Sequence, residues 1–371
     1  MEPQGRRSSG AVRRIDIATH EGCIAARSRR GKAFREWISP LKKVLITGGA
    51  GFIGAWLGRA LLDQGVEVVA LDDLSTGTWP NPTLGEPEGL TFVRGDCADA
   101  ALVARLVEGC DFVFHLAAVV GVRRVVESPL RTALVNQATT LTVLEAAAGA
   151  GVPVLLASSS EVYGPLATAP FREDDAGSFG PPEQGRWTYA LTKAAGEQLA
   201  FALGRERGLP FVVVRLFNTV GPGQSAAFGM VLPRFVDQAR RGEPITVYGD
   251  GEQTRVFCHV ADVVDALVAL ARTPSSWGRL YNVGGVESVS ILDLARKVRE
   301  RLGSDSPIRH VPFVQAFGDD FAEARHRQPD IGRIAQAVGW SPRRGLERII
   351  DDAIAGADEA SPRRELERGE A

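Results

Sequence analysis

Short runs of aliphatic and β-branched residues alternate along the chain with longer stretches in which apolar positions recur every three to four residues. The short runs predict strands at Lys43–Thr47, Val66–Leu71, Thr91–Arg94, Phe112–Leu116, Val154–Ala157 and Phe211–Leu216. The longer stretches predict helices over Phe52–Gln64, Ala100–Glu108, Arg131–Ala150 and Tyr189–Arg207. Continuously apolar strands separated by helices indicate a parallel sheet covered on both faces, so the fold class expected is α/β, a doubly wound parallel sheet. After Arg215 the rhythm loosens into Gly221-Pro222-Gly223, a helix near Met230–Arg241, a turn at Tyr248-Gly249-Asp250-Gly251 and further elements ending near Ala355. This predicts a smaller C-terminal lobe that grips substrate. The expected organisation is a disordered, arginine-punctuated extension over 1–40, a dinucleotide-binding domain over 41–216, a partly interleaved substrate lobe over 217–355 and a flexible tail over 356–371.

Bulk properties narrow the function classes. A length of 371 residues accommodates one large or two interlocked domains. The net charge of −2 offers no basic field for nucleic acid. Cys23, Cys97, Cys110 and Cys258 lack the spacing of a zinc site or a disulfide framework, so no metal is expected and a reducing cytoplasm fits. No apolar run approaches the ~18 residues of a membrane span, and the N-terminus lacks the apolar stretch of a secretory signal.

Three segments carry chemistry. The run Val44-Leu-Ile-Thr-Gly48-Gly-Ala-Gly51-Phe52-Ile53-Gly54 passes from an apolar strand through a glycine turn into a helix. Glycines let backbone approach a pyrophosphate, and the helix start presents N–H groups and a positive dipole end. Asp72 closes the next apolar run, where its carboxylate can accept both ribose hydroxyls; this favours NAD over NADP. Tyr189 and Lys193, four apart at the start of a helix, share one face, and an adjacent ammonium favours the phenolate, giving a usable proton shuttle. Ser158-Ser159-Ser160-Glu161 follows a predicted parallel strand, at the end where such folds place ligands, and a serine there can hold the substrate hydroxyl.

Taken together with Gly95-Asp96-Cys97, His115-Leu116-Ala117-Ala118, Asn136, Arg215-Leu-Phe-Asn218 and Tyr248-Gly-Asp-Gly-Glu-Gln-Thr-Arg255, these segments resemble an extended short-chain dehydrogenase/reductase. The resemblance is to the NAD-dependent nucleotide-sugar epimerase/dehydratase/decarboxylase family, over Leu41 to Ala355. It implies a Rossmann fold, bound NAD, and a hydroxyl oxidised to a 4-keto sugar. It assigns Gly48, Gly51, Phe52, Ile53, Gly54, Asp72, Asp73, Asp96, Cys97, Leu116, Ala117, Ala118, Asn136, Tyr189 and Lys193 to the cofactor. Ser159, Glu161, Tyr189 and Lys193 are implied as catalytic, and Ser160, Asn218, Tyr248, Arg255 and Arg325 as substrate-binding.

Within the family, the pair Ser160-Glu161 lacks the acid of 4,6-dehydratases, since a serine protonates a departing hydroxyl poorly. The hydroxyl-Ser-Glu run and Arg186-Trp187-Thr188-Tyr189 resemble UDP-glucuronate decarboxylases, as does Arg325-His-Arg-Gln-Pro-Asp. Glu161 would then disfavour an ionised substrate carboxylate by like-charge repulsion, and Arg255 would pair with that carboxylate or the pyrophosphate. Tyr-Ala-Leu-Thr-Lys193 stands closer to epimerases, so a 4-epimerase of UDP-hexose or UDP-uronate is the alternative. A non-catalytic NAD-binding sensor is the reading from another class, and the complete Ser159, Tyr189, Lys193 set argues against it. The resemblance also implies a homodimer formed through the helices Arg131–Ala150 and Tyr189–Arg207.

Overall fold

The computed structural model describes residues 41–360 apart from 82–86, 88, 227–229 and 318–323. The expected extension over 1–40, and the part of the expected tail beyond 360, lie outside the described residues.

Seven parallel strands form the central sheet: β1 (Lys43–Thr47), β2 (Glu67–Asp72), β3 (Leu90–Arg94), β4 (Phe112–His115), β5 (Val154–Ser159), β6 (Phe211–Leu216) and β7 (Arg279–Val283). Their spatial order, β7-β6-β5-β4-β1-β2-β3, reverses direction at β1, which leaves a crevice between β1 and β4 at the strands' carboxyl ends. Alternation along each strand sends side chains to two cores. Val44 and Ile46 join Leu57 and Leu61 of α1 (Phe52–Leu62) and the helix Val260–Ala271. Leu45 instead joins α2 (Ala100–Val107), α3 (Pro129–Ala150) and α4 (Thr188–Arg207) through Val103, Val143 and Leu203. Burial on both faces is why these strands read as unbroken apolar runs.

Two differences from the sequence reading bear on the site. Strand β5 extends through Ser158 and Ser159, because those residues pair with Arg215 and Leu216 of β6, and cross-strand pairing outweighs the weak strand preference of serine. Strand β7 had no counterpart in the sequence reading; it returns from the C-terminal half to pair with β6. Asn282 of β7 anchors it, accepting from the Tyr163 hydroxyl at 2.7 Å and donating to the Phe171 carbonyl at 2.9 Å.

The smaller lobe packs helices Val231–Arg240, Ile291–Arg301 and Leu346–Ala360 around Leu232, Phe235, Leu294, Val298 and Ile350. Its strand Thr254–Val256 pairs antiparallel with Ser288–Ser290 and parallel with His326–Arg327. No helix among the described residues is long and apolar enough to cross a membrane.

Candidate active site

A cleft of about 860 Å³ lies over the carboxyl end of the sheet. At one end the glycine turn closes tightly. Gly48 has φ +73°, and a Cβ there would lie 2.8 Å from the Ala117 amide nitrogen. A Cβ on Gly54 would meet the Gly48 carbonyl oxygen at 2.2 Å. Gly51 precedes α1 without a side-chain cap, so no side chain takes up the N–H groups of the first turn beside the cleft. Asp72, 7% exposed, accepts from the Ala50 amide at 3.1 Å and the Leu74 amide at 2.8 Å, tying the end of β2 to the turn. Burial pushes its carboxyl up, and the two backbone donors oppose this.

Phe52, Ile53, Asp73, Asp96 and Cys97 line the same end, and Leu116, Ala117 and Ala118 form the adjoining wall. Burial, then Asp72 and Asp96, push the Cys97 thiol up to about 12, so it sits there as a small apolar group. Asn136 is placed differently from the cofactor-contact expectation. It is 2% exposed behind the wall, accepting from the Val119 amide at 2.7 Å and donating to the Val119 carbonyl at 3.2 Å. Its two amide bonds fix the loop that the cleft touches.

Ser159, Tyr189 and Lys193 meet mid-cleft. Ser159 ends β5, and its hydroxyl stands by the Tyr189 phenol and accepts from the Glu161 amide at 3.3 Å. The Lys193 Nζ stands 5.8 Å from the centre of the Tyr189 ring and donates to the Ala157 carbonyl at 2.8 Å. Burial works here against the lowering of the phenol expected from the ammonium. Burial, and then Glu161, push Tyr189 above its ordinary value, with the Ser159 hydroxyl opposing. Lys193 is itself buried and turned to a carbonyl, and burial lowers it to about 8.

Glu161 sits beside this set in a charge cluster that local sequence patterns do not show. Its carboxylate pairs with Arg186 and, at 3.3 Å, with Arg327. The side chains are 15%, 4% and 7% exposed respectively. Burial alone would raise the carboxyl, but the two guanidiniums hold it down at about 2. Glu161 is therefore a compensated anion, and the like-charge repulsion argued from sequence is offset by two cations in contact with it. Arg255, 5% exposed, is the register partner of Arg327, so three buried guanidiniums and one partly buried carboxylate form this wall.

Ser160 and Asn218 also line the cleft; the Asn218 amide donates to the Val256 carbonyl at 2.8 Å. Tyr248 lies at the lobe end beneath Arg234, whose guanidinium carbon is 4.2 Å from the ring centre. Arg325 is not brought to the site. Its side chain is 67% exposed and faces Asp250 at 3.5 Å. The arginine of that stretch in the cleft wall is Arg327, because the strand His326–Arg327 lies alongside Thr254-Arg255. Among the described residues no group of three or more histidines, cysteines and acids could hold a metal ion.

Comparisons with known proteins agree with this architecture. A UDP-N-acetyl-α-D-glucosaminuronate decarboxylase of Bacillus cytotoxicus is 34% identical over 316 residues, spanning 84% of this chain and 97% of the relative. A UDP-glucuronic acid decarboxylase 1 of Xenopus tropicalis is 34% identical over 315 residues, 84% of this chain and 71% of the relative. The crystal structure of a UDP-glucose 4-epimerase from Thermotoga maritima, solved with UDP-glucose, superposes with a TM-score of 0.77 at 26% identity, covering 85% of this chain and 99% of the epimerase. Residues 44–284 match the sequence profile of one family along more than half the chain, and the chain belongs to that family, the NAD-dependent epimerase/dehydratases.

Proposed function

We propose that this chain decarboxylates a UDP-uronate, UDP-glucuronate in the first instance, through a 4-keto intermediate. The observation that carries the reading is the wall of Arg186, Arg255 and Arg327 set against Glu161 beside Ser159 and Tyr189. Guanidiniums outnumber carboxylates there, which suits a sugar bearing its own carboxylate better than a neutral hexose. Both decarboxylase relatives act, by name, on UDP-uronates.

The glycine cradle, whose close contacts exclude a Cβ, and Asp72 fit a dinucleotide. Bound there, NAD would supply a hydride acceptor and a positive charge. Ser159 holds the sugar's 4-hydroxyl, Tyr189 takes its proton, and Lys193 favours the phenolate. The ketone would be β to the carboxylate and would receive the electron pair of the breaking C–C bond as carbon dioxide leaves; the enolate would then take a proton, and return of the hydride would restore the 4-hydroxyl, so that carbon dioxide alone is lost. Arg327 and Arg186 hold the carboxylate end, with Glu161 fixing both guanidiniums. The smaller lobe, through Tyr248 and Arg255, grips the nucleotide diphosphate.

Incubation of the purified protein with UDP-glucuronate should release carbon dioxide and yield a nucleotide lighter by that loss. A product of unchanged mass and altered retention would replace this reading by the 4-epimerase, which the Thermotoga neighbour favours. We further infer a cytoplasmic homodimer. Leu130, Leu134 and Leu141 of α3 and Leu191 of α4 are 72%, 62%, 47% and 46% exposed on two helices that pack together, an apolar face suited to a second copy. A monomeric mass by sedimentation would overturn the dimer.

A further inference from the structure

We propose that Glu197 is a positioning residue of the proton relay, the buried counter-charge that keeps Lys193 an ammonium while fixing the strand end that carries Ser159. The inference rests on reading Tyr189 and Lys193 as that relay, and it adds a group the relay motif does not contain.

Glu197 lies on α4 one turn beyond Lys193, at the i,i+4 spacing that brings two side chains together on a helix. Both are 6% exposed. The surroundings of Lys193 leave few sources of compensating charge. The Ala157 carbonyl from β5 is neutral. His115 from β4 is fully buried between the hydroxyls of Thr47 and Thr140, and burial and then Lys193 lower it to about 3, so it is uncharged. Asn136 and Thr139 on α3 carry no charge. Glu161 faces Tyr189, but its two arginines leave that cluster net positive, whereas Glu197 is balanced by Arg215 alone. Glu197 is the anion whose field opposes the loss of charge on Lys193.

The same carboxylate is a mechanical tie. It accepts from the Ser158 hydroxyl at 2.5 Å, and a fork from Arg215 of β6 reaches it at 2.9 and 2.7 Å. Ser158 and Arg215 are register partners, so Glu197 clamps β5 to β6 one residue before Ser159. Arg215 is held in turn over the Tyr163 ring, 4.5 Å from its centre. Glu197 and Arg215 also line a second cavity of about 290 Å³, together with the charged groups Glu173, Asp174, Arg279 and Arg333.

Glu197→Gln keeps an acceptor for Ser158 and removes the charge. The chain's lysines are Lys32, Lys42, Lys43, Lys193 and Lys297, so the Lys193 signal of NAD-loaded protein carrying ¹³C-labelled lysine can be assigned by its absence in Lys193→Met. The variant is expected to lower the Lys193 pKa by about one unit, a tenfold loss in proton affinity. The alkaline limb of kcat should move down by the same amount with KM unchanged. Glu197→Asp, which retains the charge, should recover much of the shift. Should Glu197→Gln not fold, Arg215→Gln is read instead: it leaves the carboxylate without its cation, so the Lys193 pKa should rise, and an unmoved value would overturn the proposal. A Lys193 pKa unmoved in the variant, with kcat reduced equally at every pH, would overturn the proposal and leave Glu197 a purely mechanical tie. Because the titration is read without sugar, failure to turn over UDP-glucuronate would count against the proposed reaction and leave the Glu197 result standing.

Discussion

At the cofactor end of the cleft, the glycine turn and Asp72 come from neighbouring stretches of chain; Ala50 and the carboxylate that binds its amide are 22 residues apart. At the sugar end, Glu161 and Arg327 meet across 166 residues, joined by Arg186 from the turn before α4 and Arg255 from the smaller lobe. The first end is largely a local device, built by β1, α1 and β2 in succession and walled by Ala117. The second exists only once the lobe has folded against the sheet. A change at one end should therefore leave the other largely intact, and the family can alter its sugar chemistry while keeping its cofactor grip.

The largest effect should come where the two ends meet. Tyr189→Phe removes the proton acceptor both depend on, and turnover should fall by about 10³-fold with NAD still bound, read by product formation and by absorbance of the retained cofactor. Normal turnover would dissolve the relay and the comparison with it. Next, Glu161→Gln should lower turnover by about 10²-fold while sparing NAD affinity, because it disturbs only the sugar end. It should also change acid stability. Glu161 is held at about 2 against an ordinary 4.5, so its contribution to folding is full above the ordinary value and lost as pH falls toward 2. Melting temperatures across that window should show a slope in the native protein that the variant lacks. Gly54→Ala places a methyl against the Gly48 carbonyl, and a cost of about 1–3 kcal/mol should appear as weaker NAD binding by calorimetry. The arginine pair gives the smallest effect and the sharpest contrast. Arg325→Ala should change stability by less than about 0.5 kcal/mol and turnover by less than about twofold, since its partner Asp250 is also solvent-exposed. An Arg325→Ala enzyme that lost turnover would return the sugar end to the local motif.

What could be read in the sequence follows the same division. β1 and β6 coincide with the runs that predicted them, since a strand buried on both faces must be apolar throughout. The glycine turn was legible because its backbone geometry restricts residue type. Strand β7 was not, because Arg279 and Asn282 break its apolar run and its partner β6 lies more than 60 residues earlier in the chain. Arg325 and Arg327 are alike in local pattern, and only the pairing of Arg327 with Arg255 separates them. The phenol's upward shift was likewise hidden, since it depends on how deeply Tyr189 and Lys193 are enclosed. Asn136 lay on the right helix face but one layer behind the surface it supports.

The return of the chain into the sheet at β7 has a consequence for inheritance and engineering. The stretch that leaves after β6 comes back to complete the very scaffold it departed from, so neither half can be excised or swapped as a self-contained cassette. New carbohydrate preferences in such a molecule must arise by replacing side chains in place, one at a time, on a framework whose two parts descend together.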